Sequence, residues 1–461
     1  EFEVGEGPKG PTATNVKKIS PDAKNHGKGW SSGYAREKAS GRNHKTQKPT
    51  NGVEPTEEEF KKDVDDNKIP GFVSMIMRKG QVVQLKSYGF ADIENAIPLR
   101  EDSIFRIYSM TKPITGVALM ILIEEGKVRL DDPVKKYIPS FGKTEVFEKL
   151  EKNQILTVPL ARDITIRDLA THTSGLSYAI NDPNPVSNLY RERKIFPYYY
   201  PDEDGELAGS KSYNDICSFA DSVAHLPLKH QPGSEWTYSI GMDILGCVIE
   251  IASGISLDKF LKEKIFDPLN MKDTSFMVPE NKRKRYTSLY AFAPVLRSFI
   301  PEMANSIDPK ALTAVLIQRD ECPYLMEPTV FDGGSGLVST AQDYMNFAQM
   351  LLNNGKVGKT RVLGRKSIEL LSKNHLGKEI TSKKQYPEGK GFGITVGITV
   401  DPALAGEYGS VGNYYWGGAA STTFWVDPKE ELTALFMTQL LVNPHGTGDK
   451  YRTLVYQAIE D

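Results

Sequence analysis

Cysteine is scarce. Cys217, Cys247 and Cys322 are the only three in 461 residues, an odd set with no C-x-x-C pair. This argues against a disulfide framework and a thiolate metal site, and predicts three buried small hydrophobes. Long apolar runs are missing too: the longest, Val117 to Ile123 with its neighbours, falls well short of the ~18 residues needed to cross a bilayer. A soluble chain with no membrane span is expected. Nor is there an excess of one charge. Lys plus Arg number 57 and Asp plus Glu 59, a formal charge of −2, so nothing draws the chain to nucleic acid or an anionic membrane. The seven histidines include no H-x-x-x-H or H-E-x-x-H. His225 and His230 are five apart across Pro227, so no ligand pair shares a helix face and no metal is expected. No signal-type apolar region opens the chain, which starts at Glu1 rather than Met. The compartment stays open between cytoplasm and export after loss of a leader.

What is present is an ordinary globular composition, 39% hydrophobic, 25% charged and 10% aromatic. At ~100 to 200 residues per domain, the length predicts two to four domains or one large enzyme with an insertion. Residues 1–55, rich in Lys, Gly, Pro, Asn and Ser, read as a flexible extension, with Trp30 and Tyr34 able to rest on the folded body. From Ile69 the texture changes. Phe72 to Met77 and Val82 to Leu85 flank a polar turn and predict a hairpin. A helix-bearing segment follows from Phe105 to Leu130, ending near Gly126. Residues 164–328 are mainly helical in pattern, clearest at Ser212 to Leu226 and Gly241 to Ala252. Loops around Phe196 to Pro201 and Lys282 to Pro301 are long enough to wall a cleft. A capping box at Thr340 and Asp343 predicts another helix. Strands are expected at Phe392 to Val400, Thr422 to Val426 and Leu432 to Met437, and a closing helix at Lys450 to Ile459. Strands at both ends with helices between predict an α+β fold: a sheet domain assembled from 56–163 and 329–461, carrying a helical insertion over 164–328.

Two kinds of string carry candidate chemistry. The G-x-S-x-G at Gly29 to Gly33 has neither the strand nor the helix that a nucleophile elbow requires. S-x-x-K occurs at Ser109, Ser140 and Ser256, and a lysine one turn after a serine can take its proton. Ser140 follows Pro139 and has Gly142 inside the quartet, which opposes a helical turn. Ser256 reads as the N-cap of a short helix. Ser109 precedes Pro113, tolerable only in a first turn, and then an all-apolar helix. There the helix N-terminus would favour an alkoxide and offer free N–H groups to an oxyanion. A plain N-cap role explains Ser109 equally well on spacing alone.

Taken in order, Ser109 to Pro113, His172 to Leu176, Pro232-Gly233 with Tyr238-Ser239, Phe266 to Met271 and Gly333 to Thr340 resemble the serine β-lactamase and penicillin-binding-protein-like superfamily. The chain is most similar to its class C-related branch, which holds family VIII carboxylesterases and lovastatin-type acyltransferases. The resemblance covers roughly residues 60 to 460. It implies an antiparallel sheet flanked by helices plus an all-helical inserted domain. It also implies Ser109 as acylated nucleophile, with Lys112 and Tyr238 as the proton-transfer pair. Ile240 stands where β-lactamases usually carry Asn, and Trp416-Gly417-Gly418 where they carry a cation before Thr-Gly. Both departures resemble the esterase branch. Trp416, Gly417, Gly418 and Ile240 are thereby implied in substrate binding, with the N–H groups of Ser109 and Ala419 as oxyanion hole. The His172 motif is implied to be structural, with Thr173 and Ser174 as turn residues and Asp343 as a cap. The expected activity is hydrolysis or transfer of a short to medium, uncharged acyl group from an ester to water or an alcohol, with no cofactor. A D-aminopeptidase or weak β-lactamase-like amide hydrolase is the enzymatic alternative, and a non-catalytic binding member the other.

Overall fold

The computed structural model describes residues 55–460 apart from 179–183, 197–199, 202–206, 209–212, 293–311, 315–321 and 383–384. The expected N-terminal extension, including Trp30, Tyr34 and Ser31, therefore lies outside the described residues. So do half of the loop from Phe196 to Pro201 and part of that from Lys282 to Pro301.

Eight strands form one antiparallel sheet: β1 (Gly71–Arg78), β2 (Gln81–Asp92), β3 (Ile97–Pro98), β4 (Lys390–Phe392), β5 (Gly397–Thr399), β6 (Tyr414–Gly417), β7 (Thr423–Asp427) and β8 (Leu432–Met437), in the order β4-β5-β6-β7-β8-β1-β2-β3. The two ends of the chain meet at the β8–β1 seam, where Val73 pairs with Met437 and Met75 with Leu435. The two-residue side-chain period decides the layers. Phe72 and Ile76 of β1, Trp425 of β7 and Ala434 and Phe436 of β8 face one side. There they pack with Phe60 and Val64 of helix α1 (Pro55–Asp65) and Tyr451 and Val455 of the closing helix Thr447–Gln457. Val73 and Met75, Phe424 and Val426, and Leu435 and Met437 face the other. They join the main core with helix α2 (Thr111–Glu124) and helix Ala341–Leu352.

Helix α2 is buried from Thr111 to Leu122, as its unbroken apolarity predicts. It ends where expected. Gly126 takes a left-handed φ of 72°, its N–H bonds Ile123 O, and the Lys127 N–H bonds Leu122 O, a paired closure that satisfies two free carbonyls. Between the sheet strands, residues 164–328 supply helices that include α3 (Ile166–Ala170), α4 (Ile216–Ala224), α5 (Gly241–Ser253) and α6 (Leu257–Leu261), together with short two-stranded ribbons such as Tyr290–Phe292 with Leu312–Ala314.

Three local expectations change. Cys217 of α4 and Cys247 of α5 are joined by a disulfide, Cα–Cα 4.9 Å, and only Cys322 is a free buried thiol. An odd cysteine count hid a pair that is 30 residues apart in sequence and adjacent only because α4 packs on α5. Ser256 stands at the N-cap of α6 without a side-chain bond, and Glu250 accepts the Leu257 N–H instead. The capping box at Thr340 is half formed. The Thr340 hydroxyl accepts the Asp343 N–H, but the Asp343 carboxyl turns away to the Asp273 N–H and the Thr274 hydroxyl. Burial there pushes the Asp343 carboxyl up to about 6.

Candidate active site

The segment Phe105-Arg106 pairs with Val338-Ser339, and the Ile107 N–H bonds Leu337 O, so the chain enters α2 tethered to the 333–339 loop. A single 3-10 turn, Tyr108–Met110, makes the entry, and Tyr108 adopts φ 41°, an uncommon conformation for a bulky residue. Tyr344 donates to Met110 O at 2.9 Å and Thr115 to Gly333 O at 2.6 Å, which pins the turn from both sides. Ser109 is thereby presented, half-buried, one turn before the α2 interior. Pro113 sits in the first helical turn, where the lack of its N–H costs nothing.

Lys112 has no exposed surface. Its Nζ donates to Gly334 O at 2.8 Å and to Ser109 Oγ at 3.2 Å, and lies 4.8 Å from the Tyr238 ring centroid. The Tyr238 hydroxyl reaches Ser109 Oγ at 2.6 Å from a position 129 residues away. The three side chains singled out in the sequence are therefore brought to one point.

His172 explains how the insertion holds Tyr238 there. Its imidazole Nδ1 accepts the Ser239 N–H at 3.2 Å, its carbonyl accepts the Thr237 N–H, and its ring packs 4.7 Å from that of Tyr238. The bond to Nδ1 assigns the proton to Nε2. Fully buried at φ 58°, the residue anchors the turn that carries Tyr238. Thr171 and Thr173 share a hydroxyl bond, and Thr173 donates to Asp168, whose carboxyl completes the capping box of α3 with the N-cap Thr165.

Burial, followed by the charge of Lys112, holds the His172 imidazole well below its usual range. In the unfolded chain it protonates below pH ~6.5 while the folded ring stays neutral, so its contribution is complete above that pH and fades as pH falls. Urea midpoints at about pH 7 and pH 5 are expected to differ by up to ~1.4 kcal/mol per pH unit per such histidine, with His230 and His375 adding in the same direction. In His172→Gln its share of the slope disappears; an unchanged slope would refute the assignment.

The end of β6 closes the other side. Gly418 lies so near the Ser109 turn that a Cβ there would come within 2.4 Å of Ile107 O and of Thr422 Oγ1. The next N–H, that of exposed Ala419, has no acceptor among the described residues. The Trp416 ring stands 5.9 Å from Tyr238 and 5.2 Å from Phe392. Ile240 is different: it has no exposed surface and belongs to the main core at the start of α5, so the structure gives it no face toward a ligand. The composition and motifs did not disclose the aromatic wall. Tyr178 stacks on Tyr238 at 5.5 Å and 9°, and Trp236 and Tyr386 continue the surface, backed by the fully buried Phe392. Tyr178 follows the His172 motif by two residues, the one local signal available. Among the described residues no group of His, Cys, Asp and Glu could hold a metal ion, and no helix is long and apolar enough to cross a membrane.

An antiparallel sheet with a serine at the head of its buried helix, faced by a tyrosine from a helical insertion, is the architecture of the β-lactamase and penicillin-binding-protein class. Residues 56–458 match the family model described as Beta-lactamase, and the chain belongs to that family. Protein Rv1367c of Mycobacterium tuberculosis is 31% identical over 382 residues, 81% of this chain and 87% of the relative. Esterase EstB of Burkholderia gladioli is 28% identical over 387 residues, 82% and 88% of the two chains. The solved structure of EstCE1, described as a hydrolase with promiscuous acyltransferase activity, superposes with a TM-score of 0.69 at 25% identity, covering 87% of this chain and 97% of that one.

Proposed function

We propose that the protein is a serine carboxylesterase or acyltransferase working through an acyl-enzyme on Ser109. The observation that carries this reading is the convergence of Lys112 Nζ and Tyr238 OH on Ser109 Oγ, at 3.2 and 2.6 Å. The short contact to Tyr238 is the route for the hydroxyl proton. As Ser109 attacks the ester carbonyl, Tyr238 acts as the general base that takes the hydroxyl proton, with Lys112 Nζ 4.8 Å from its ring centroid. Collapse of the tetrahedral intermediate expels the alcohol, to which Tyr238 returns the proton. Water or a second alcohol then repeats the sequence in reverse, giving hydrolysis or transfer. The N–H groups of Ser109 and Ala419 stabilise the oxyanion.

The relatives named as esterase and as hydrolase with acyltransferase activity support ester chemistry over lactam chemistry. So does the wall of Trp416, Trp236 and Tyr178, which suits an uncharged acyl group. Matched ester and amide substrates sharing one acyl group, followed by intact-mass detection of the acyl-enzyme, test the reading. Acylation by the ester at least ~100-fold faster is expected; equal turnover of the amide would favour a peptidase. Gly418→Ala is expected to lower kcat ~10²-fold by forcing the Ala419 N–H off the oxyanion position. Wild-type turnover by that variant in a nitrophenyl-ester assay would remove Ala419 from the oxyanion hole.

A further inference from the structure

Two buried carboxyls converge on the same peptide that holds Lys112. Asp243, in the first turn of α5, has no exposed surface, and Asp332 is 2% exposed. The Gly334 N–H is shared between them, 2.6 Å from Asp332 Oδ1 and 3.1 Å from Asp243 Oδ1, while the Gly334 carbonyl accepts from Lys112 Nζ at 2.8 Å. Asp332 also accepts the Ser335 N–H at 2.9 Å and the Ser335 hydroxyl. Asp243 Oδ2 has no hydrogen-bond partner among the described residues, although it is buried. The approach is close enough that a Cβ on Gly334 would lie 2.8 Å from that oxygen.

Two carboxylates on one N–H, out of water, repel too strongly for both to be ionised. Asp332, with three donors, is the better anion. Asp243, with one shared donor and an orphaned oxygen, is the better acid. The groups acting on Asp243 agree: burial and then the charge of Asp332 raise its carboxyl well above the ordinary range, against a smaller opposing pull from Lys112. No carboxylate lies within ion-pair distance of Lys112 among the described residues. The Asp332 charge acts on it across the Gly334 peptide, whose N–H end meets the anion and whose carbonyl end meets the amine, each bond polarising the other.

We propose that Asp243 and Asp332 share one proton as a buried acid pair whose single negative charge, relayed by the Gly334 peptide, holds the Lys112 amine in place against Ser109. They are positioning residues, and the proposal rests on the role given to Lys112 above. Asp243→Asn keeps a neutral donor toward Asp332, whereas Asp332→Asn deletes the anion. The readout is the second-order rate of covalent labelling by a fluorophosphonate, on protein shown to be folded by its thermal transition. Asp332→Asn is expected to label at least ~30-fold more slowly, Asp243→Ala ~10-fold more slowly, and Asp243→Asn to recover to within ~3-fold of the parent. A gap of less than ~10-fold between the two asparagine variants would overturn the pair. Should either variant fail to fold, the infrared spectrum of the parent decides: a protonated-carboxyl band is expected at about pH 8, where Asp343 is ionised, and its absence would overturn the pair equally. Ser109→Ala run alongside separates the two readings. If it still labels, the nucleophile is misassigned; if it does not and the acid variants behave alike, only the acid pair fails.

Discussion

Ser109→Ala is expected to reduce hydrolysis of a nitrophenyl ester by ~10⁴-fold or more and to abolish the covalent adduct with a fluorophosphonate. The size follows from the arrangement. Lys112 and Tyr238 both contact Ser109 Oγ, at 3.2 and 2.6 Å, so under the proposed mechanism removing that one atom strands the whole unit. The fold should survive, because Ser109 is half-buried and the turn that carries it is held by backbone and neighbouring side chains. Those holds are the Ile107 N–H to Leu337 O bond and the Tyr344 hydroxyl on Met110 O. Intact mass after incubation with the probe, beside a thermal melt, is the measurement. An adduct formed by the alanine variant at the parent's rate would end the acyl-enzyme reading.

Tyr238→Phe is expected to lower kcat by ~10²- to 10⁴-fold with little change in KM, the range that a positioned acid or base contributes. Phenylalanine keeps the ring, and with it the stacking on Tyr178 at 5.5 Å and the packing on His172 at 4.7 Å. Only the hydroxyl on Ser109 is lost, so a fall in kcat reports proton transfer rather than collapse of the wall. The deficit should be smallest for esters with good leaving groups, which depart without a proton, and largest for alkyl esters. Steady-state kinetics across a leaving-group series would show this, and a deficit independent of leaving group would contradict the assignment of Tyr238 as the relay.

Much of this site could be read along the chain. Ser109 and Lys112 are one helical turn apart, so their meeting is a local property of any helix begun at that point, and Pro113 and the apolar run behind it say where the helix begins. The strands of both chain ends were legible as β-rich runs bounded by polar turns, but the layer each residue joins, Phe72 and Ile76 on one side and Val73 and Met75 on the other, is seen only in the fold. The Cys217–Cys247 bond was not, nor was the turning away of Asp343 to Asp273 and Thr274, since both depend on which distant segment packs alongside.

Short-range spacing along the polypeptide thus gave a candidate serine with an amine one turn on, the hairpin at the first strand and the α+β class, because each is decided by neighbours within about one turn or one pleat. Folding alone settled the rest. It brought a phenol from 129 residues away onto the serine, built an aromatic wall from four separate segments, buried Ile240 away from the cleft, and set two carboxyls on a single glycine peptide beneath the lysine's carbonyl contact. Such contacts arise when packed layers exclude water, and water exclusion is a property of the assembled chain that no window of sequence contains.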